Sequence, residues 1–146
     1  MTHSRRAFCT LLAVILVGLT SGPVGAQRAE NRKPSVALKV NPPVGFTPMR
    51  VRVEVDIRGG ADDYQDFYCP TIEWDWADGT TSESGSDCEP FEAGKSKIAR
   101  RYTTTYTFRQ AGEYKVYFRM KQKGKVVGAS NATIQVRAGA REFDDQ

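Results

Sequence analysis

The fold is decided by the stretch T-I-E-W-D-W-A-D-G-T-T, residues 71–81. Apolar and acidic residues alternate along it, with Ile72, Trp74 and Trp76 on one side and Glu73 and Asp75 on the other. This period of two is typical of a β-strand with one buried face. Because both tryptophans of the chain fall on that face, the strand is predicted to lie at the centre of a core. The Asp-Gly pair at 78–79 favours a tight turn that ends the strand.

Similar alternation recurs on both sides of this stretch. It predicts strands at 35–41, 49–57, 97–108, 114–120 and 126–136, with inward positions that include Val126 in the last of them. Residues 42–48 carry three prolines and are predicted to form a stiff loop, since proline cannot continue a hydrogen-bonded ladder. No helical period of useful length appears. About seven short strands separated by turn signals predict an all-β antiparallel sandwich.

Two motifs in these strands resemble a known family. The run W-D-W-A-D-G-T at 74–80 is similar to the W-D-F-G-D-G-T signature of the polycystic-kidney-disease (PKD) domain, with Trp76 for Phe and Ala77 for the first Gly. The run Y-T-F-R-Q-A-G-E-Y-K-V at 106–116 resembles the family's H-x-Y-x-x-x-G-x-Y-x-V. The resemblance implies a PKD-like, immunoglobulin-like sandwich over residues 34–137. It also implies a module for protein or carbohydrate interaction, although fold constrains function weakly.

The N-terminus is predicted to be an export signal. Arg5 and Arg6 precede an apolar run and then small residues that end at Ala26, so residues 1–26 read as a signal peptide cut after Ala26. An uncleaved anchor is the alternative, but the apolar run is short for a membrane span. The general secretory route is favoured over the twin-arginine route. Residues 27–33 are then predicted to be a flexible leader and residues 138–146 a C-terminal tail. The signal peptide predicts a secreted or periplasmic protein whose mature chain has no transmembrane segment.

The remaining charge is small. Of 21 basic residues the signal holds Arg5 and Arg6, which leaves 19 against 17 acidic residues. A net charge of this size does not suggest nucleic-acid binding or strong membrane attraction.

Two cysteines remain after the signal, Cys69 and Cys88. An even pair in an exported chain is interpreted as a disulfide, with free thiols as the alternative. The bridge would close a loop of 19 positions (88 − 69), worth about 3 kcal/mol in the chain-entropy account.

Few residues suited to catalysis are present in the mature chain. The single histidine, His3, lies in the signal, so the mature chain lacks a histidine base, a Ser-His-Asp triad and a histidine-ligated metal. Paired carboxylates remain available, but the acids fall on turns and wet strand faces with no sign of a pocket that would raise a pKa. We therefore expect no enzyme, and a small hydrolase is disfavoured.

The loop at 59–70 combines acids with aromatic residues. Asp62, Asp63 and Asp66 supply oxygen ligands of the kind that suit calcium, although acidic loops are commonly just solvated. No other cofactor is expected. Tyr64 in the same loop is a candidate contact residue, whereas Phe67 is expected to pack inward.

A second candidate surface lies on the strand at 114–120. If Val116, Phe118 and Met120 face the core, then the residues between them share the outer face. That row is predicted to be mostly basic and to bind a protein or polysaccharide, with its charge favouring an acidic one. The simpler interpretation is a solvated strand whose lysines resist edge pairing. The row consists of Lys115, Tyr117, Arg119 and Lys121.

The sequence therefore predicts an exported, non-enzymatic interaction module. The alternative is a structural accessory subunit of an envelope assembly that binds no small ligand.

The disulfide is directly testable. Mass spectrometry of the exported protein should find the native chain lighter than its reduced form by the mass of two hydrogens, because Cys69 and Cys88 are bridged. Recovery of two alkylated thiols from the native protein would contradict the bridge.

Overall fold

Alternating side chains build eight strands in the computed structural model, which describes residues 33–139. A single 3-10 turn, Gln65–Phe67, interrupts the loop before the tryptophan strand. The strands are β1 (Ser35–Asn41), β2 (Val44–Phe46), β3 (Met49–Arg58), β4 (Thr71–Asp75), β5 (Thr81–Ser84), β6 (Arg101–Phe108), β7 (Gly112–Gln122) and β8 (Lys125–Arg137).

The strands form two sheets that enclose one core. The three-stranded sheet has the order β1-β3-β6, and the five-stranded sheet has the order β2-β8-β7-β4-β5. All pairs are antiparallel except β2 with β8, which is parallel. This architecture confirms the predicted PKD-like, immunoglobulin-like β-sandwich, with eight strands in place of about seven.

Aromatic rings fill the core as one continuous column. Trp74 and Trp76 lie nearly parallel with ring centroids 5.7 Å apart, and Trp76 stacks on Tyr106 of the opposite sheet at 4.1 Å. The column continues from Tyr106 to Phe108 at 5.0 Å and from Phe108 to Tyr114 at 4.4 Å. Both tryptophans are buried, as the alternation predicted. Offset and edge-on contacts of this kind add to the stabilisation from area burial alone.

The Asp-Gly turn locks the end of β4 to the other sheet. The Asp78 carboxylate accepts hydrogen bonds from the Thr80 backbone N–H (3.0 Å) and hydroxyl (2.7 Å), and from the Tyr106 hydroxyl at 2.5 Å. Burial alone raises the pKa of Asp78, but these hydrogen bonds outweigh it and the net pKa is lowered. Tyr106, which stands where the resembled family has histidine, therefore takes part in both the stack and the turn.

Ala77 holds a left-handed conformation. Its φ is +60°, and its N–H donates to the Asp75 carboxylate at 3.1 Å. The turn thus places left-handed strain on an alanine.

Tyr114 forms a tyrosine corner. Its hydroxyl donates to the Gln110 carbonyl at 3.0 Å. Gly112 allows this, because a Cβ there would meet the Tyr114 ring at 3.3 Å.

Four features differ from the sequence predictions. Residues 97–100, predicted to begin a strand, are irregular, and β6 starts at Arg101. Residues 44–46, placed in a stiff loop, form the edge strand β2, and an edge position tolerates the neighbouring prolines. Residues 81–84 extend β4 into a hairpin. Val126 was predicted to face inward but is 54% exposed, because a bulge at Met120/Lys121 shifts the register and Val127 packs on the core instead.

The disulfide joins Cys69, after the 3-10 turn, to Cys88 in the segment 85–100. Tyr68 reinforces the connection, since its hydroxyl donates to the Glu89 carbonyl at 3.0 Å and its ring meets Phe91 at 5.5 Å. The irregular segment is therefore anchored to the start of β4. The predicted signal peptide, the leader up to residue 32 and the tail from residue 140 lie outside the described residues.

The strained alanine provides a stability test. Ala77→Gly should raise the free energy of unfolding by up to about 1 kcal/mol, because it removes about 1–2 kcal/mol of left-handed strain against about 0.5–1 kcal/mol of added backbone entropy. Ala129→Gly is the matched control: Ala129 lies exposed in β8 without a positive φ and should lose about 0.5–1 kcal/mol. Urea midpoints measure both. Equal losses in the two variants would show that Ala77 is not strained.

Candidate functional site

The outer face of the five-stranded sheet carries the predicted basic row. Val116, Phe118 and Met120 of β7 are 0% exposed, so the alternate residues of that strand lie together on the outer surface. Lys115 is exposed and the other three members of the row are partly exposed. Glu73 lies opposite Arg119 and Asp75 opposite Tyr117 in the β4–β7 register.

Acids from neighbouring strands pair with two of the three cations. Arg119 Nη1 lies 2.6 Å from Glu73 Oε1, and Nη2 lies 3.3 Å from Asp75 Oδ2. Lys121 Nζ forms an ion pair with Glu73 Oε2 and lies 3.6 Å from Glu83 Oε2 of β5. The sequence predicted a mostly basic face because these acids are distant in the chain; the sheet register brings three carboxylates beside Arg119 and Lys121. Within residues 33–139, Lys115 is the cation of the row without an ion pair.

The ion pairs shift the ionisation of their members. Hydrogen bonds from Lys121 and then Arg119 lower the pKa of Glu73, against a smaller opposing effect of burial. The same contacts with Glu73 raise the pKa of Arg119 and of Lys121. All three groups therefore remain charged across the neutral range.

Tyr117 stands at the centre of the row between two cations. Lys115 Nζ lies 5.6 Å from the ring centroid and the Arg119 guanidinium carbon 5.2 Å from it, both over the ring. These residues precede and follow Tyr117 on the same face of β7, so they approach it from the two directions of the strand. Both cations are within the range of cation–π attraction to the Tyr117 ring.

The acidic loop has a structural use. Asp62 accepts from Arg100 Nη2 at 2.5 Å, and its backbone carbonyl accepts from Ile98 N–H at 2.7 Å. Hydrogen bonds from Arg100 lower the pKa of Asp62. Asp63 accepts from Gly94 N–H at 2.7 Å, while Asp66 is exposed. Asp62 and Asp63 thus anchor the segment 85–100.

In the part of the chain that the structure describes, no three potential ligand residues lie close enough together to hold a metal ion. Calcium at Asp62, Asp63 and Asp66 stays an untested prediction.

Tyr64 lies in a different environment from the β7 row. Its ring meets Phe67 edge-on at 5.4 Å and packs against the core. Phe67 is 0% exposed, and a Cβ on Gly128 would come within 3.0 Å of its ring. Phe67 therefore packs inward as expected, and it occupies the space left by a glycine in β8.

Sequence reasoning missed a cleft between β5 and β6. One part, of about 220 Å³, is lined by residues that include Ile72, Tyr102 and the disulfide; the adjoining part, of about 290 Å³, includes Trp74, Ser82 and Thr104. Its only sequence signal was the inward alternation of β6. The cleft depends on the path of the segment 85–100, which has no periodic pattern.

Comparisons with known proteins return structural likenesses only. No protein-family model and no curated protein matches the sequence. The chain is similar to the PKD domain of an M14-like peptidase from a Thermoplasmatales archaeon, with 14% identity, 73% of this chain and 97% of that chain covered, and a TM-score of 0.48. It is also similar to the CARDB domain of a Pyrococcus furiosus protein in complex with di-metal ions, with 16% identity, coverage of 73% and 91%, and a TM-score of 0.46.

No helix within residues 33–139 has the length and apolar character needed to cross a membrane.

The Glu73 cluster predicts an acid-dependent stability. Because the pKa of Glu73 is lowered from 4.5 on folding, its ion pairs stabilise the fold above that pH and are lost as the pH falls through the lower folded pKa. Glu73→Gln should therefore lower the melting temperature at pH 7, and its difference from the parent should narrow in acid. Glu113→Gln, at an exposed β7 position, is the control and should track the parent throughout. A constant Glu73→Gln difference from pH 7 to acid would refute the linkage.

Proposed function

We propose that this protein is an exported, non-catalytic PKD-like module that binds a protein or carbohydrate partner at or outside the cell envelope. The disulfide supports the location, since such bonds persist in oxidising compartments. The signal-like N-terminus supports it independently. The alternating motifs, the sandwich and the poor catalytic inventory together support a binding module over an enzyme.

The observation that most directly supports a binding function is the arrangement around Tyr117. One large amphipathic ring lies at the centre of an exposed, highly ordered polar surface, held between Lys115 and Arg119. Aromatic and arginine side chains of this kind are enriched where proteins bind partners. The surrounding ion pairs fix the side chains before binding, which reduces the entropy cost of association.

The geometry favours a protein partner over a sugar at this face. A sugar that stacks needs a free aromatic face, whereas cations lie over the Tyr117 ring on the strand's two sides. The alternating charges of Glu73, Asp75, Arg119 and Lys121 also match a partner of mixed charge better than a uniformly acidic polymer. Lys115 supplies the positive charge that an acidic side chain of the partner would meet.

A structural accessory subunit of an envelope assembly is the alternative. Such a subunit would co-purify with its assembly yet show no dependence on Tyr117 or Lys115. Binding that depends on those two residues separates the proposals.

The test replaces the centre of the face and leaves its ion pairs intact. Arg119 was an attractive target from the sequence, but its removal would leave Glu73 and Asp75 short of a partner. We therefore expect Tyr117→Ala with Lys115→Ala to weaken binding to envelope proteins at least tenfold, as loss of a central contact typically does. The free energy of unfolding should change little, by about 0.5–1 kcal/mol, because both positions are at the surface.

Arg52→Ala is the matched control, since Arg52 is an exposed cation on the outer face of the other sheet. Its binding should equal that of the parent. Measurements on immobilised domains with envelope proteins and, in parallel, with polysaccharides decide the partner class. Equal binding by the double variant and the parent to every partner would overturn the assignment of this face.

A further inference from the structure

The outer edge of β6 presents unpaired backbone groups. The Ile57 N–H donates to the Arg100 carbonyl at 2.8 Å, which fixes which residues face β3. In an antiparallel ladder, alternate residues direct both N–H and C=O to one side. Ile57 is paired with Arg100 and Val53 with Thr104, so the even-numbered residues of β6 form the backbone hydrogen bonds with β3. The odd-numbered residues Thr103, Thr105 and Thr107 direct their backbone groups to the open edge.

This edge lacks the features that usually block pairing. Natural sheets protect long edges with prolines, lysines, bulges or a covering segment. β6 runs for 8 residues with an unbroken register and reads R-Y-T-T-T-Y-T-F, rich in residues that favour strands. No backbone hydrogen bond from residues 33–139 reaches its outer side.

A cleft runs between the open edge of β6 and β5, which is the edge strand of the five-stranded sheet. β5 borders it from the other sheet, through Ser82 and Ser84, and β6 through Tyr102 and Thr104. Apolar surface at its floor comes from Ile72 and the buried ring of Trp74. Alternate side chains of a strand added to β6 would enter this space.

In the described part of the chain, a hydrogen-bond partner is missing for the Tyr102 side chain, which lines the cleft. Its hydroxyl is buried and is the side-chain polar atom that finds no partner within the described residues. A buried hydroxyl without a partner is costly and uncommon in native proteins. An occupant with a polar side chain directed inward at this position would supply the missing hydrogen bond.

We propose that β6 binds an extended segment of another protein as an added antiparallel strand, with acidic residues at the ends of that segment. The positive charge at the two ends of this edge is the reason to expect acidic residues at the ends of the bound segment. Lys97 lines the cleft at one end and the exposed Arg109 follows β6 at the other, and neither forms an ion pair with residues 33–139. A second copy of this chain is disfavoured, because antiparallel β6–β6 pairing centred on Thr105 sets Arg101 against Arg109 at both ends.

This site is separate from the Tyr117 face and does not depend on it. The edge belongs to the three-stranded sheet, whereas Tyr117 lies on the outer face of the five-stranded one. Failure at one surface therefore leaves the other standing.

The probe is a synthetic peptide, Asp-Val-Thr-Val-Thr-Val-Thr-Val-Asp, titrated into isotope-labelled protein at up to millimolar concentration. We expect shifts in the NMR signals of the amides of Thr103, Thr105 and Thr107, and slower hydrogen exchange there, because those N–H groups gain acceptors. The same peptide with alternate amides N-methylated should not bind. A version ending in lysines should bind about 2- to 5-fold more weakly, as expected for exposed charge pairs.

The variant Thr105→Pro removes the central free N–H, which the fold itself does not use, and should weaken peptide binding at least tenfold. Thr105→Val keeps the N–H and should bind as the parent does; Tyr117→Ala should also bind normally. If Thr105→Pro fails to fold, the N-methylated peptide tests the same hydrogen bonds on the parent protein.

Unmoved Thr103, Thr105 and Thr107 amides with the unmodified peptide would overturn the proposal. So would equal binding of the N-methylated peptide. A concentration-dependent dimer in sedimentation that Thr105→Val retains and Thr105→Pro abolishes would identify a second copy as the occupant, and would overturn the proposal as well.

Discussion

The stack of Trp76 on Tyr106 is the contact on which the sandwich depends. It joins the end of β4 in one sheet to β6 in the other at a centroid distance of 4.1 Å, and Tyr106 also donates to Asp78 at 2.5 Å. The polar bond fixes the turn while the ring contact fixes the spacing between sheets. A hydrogen bond to a carboxylate in a partly desolvated site is among the stronger polar contacts in proteins. The same two residues therefore set register and separation together.

That clamp has consequences for both candidate surfaces. With Trp74 and Trp76 turned inward, Glu73 and Asp75 must face outward, where they meet Arg119. The same strand therefore supplies aromatic rings to the core and acids to the charge network of the outer face. On the other sheet, the inward turn of Tyr102 and Tyr106 directs the backbone groups of Thr103 and Thr105 to an edge that the described chain leaves unpaired.

The segment 85–100 shapes the open side of the sandwich. The disulfide and the hydrogen bonds of Asp62 and Asp63 anchor this segment, which does not pair with β6. Acids that suggested a cation site from the sequence thus position a loop. The result is a cleft whose walls come from both sheets, which is a common place for proteins to bind ligands.

The sequence alone determined the elements that rest on local periodicity. Alternation and turn chemistry, which act over a few residues, predicted the Trp74 strand, the Asp78 turn and the outward direction of Lys115 and Tyr117. Cysteine parity predicted the Cys69–Cys88 bridge. Tertiary structure decided what depends on register between distant strands: the pairing of Arg119 with Glu73, the bulge that exposes Val126, and the open edge at Thr105. Arg119 and Glu73, for example, are 46 positions apart in the chain, and no local pattern records which strands become neighbours.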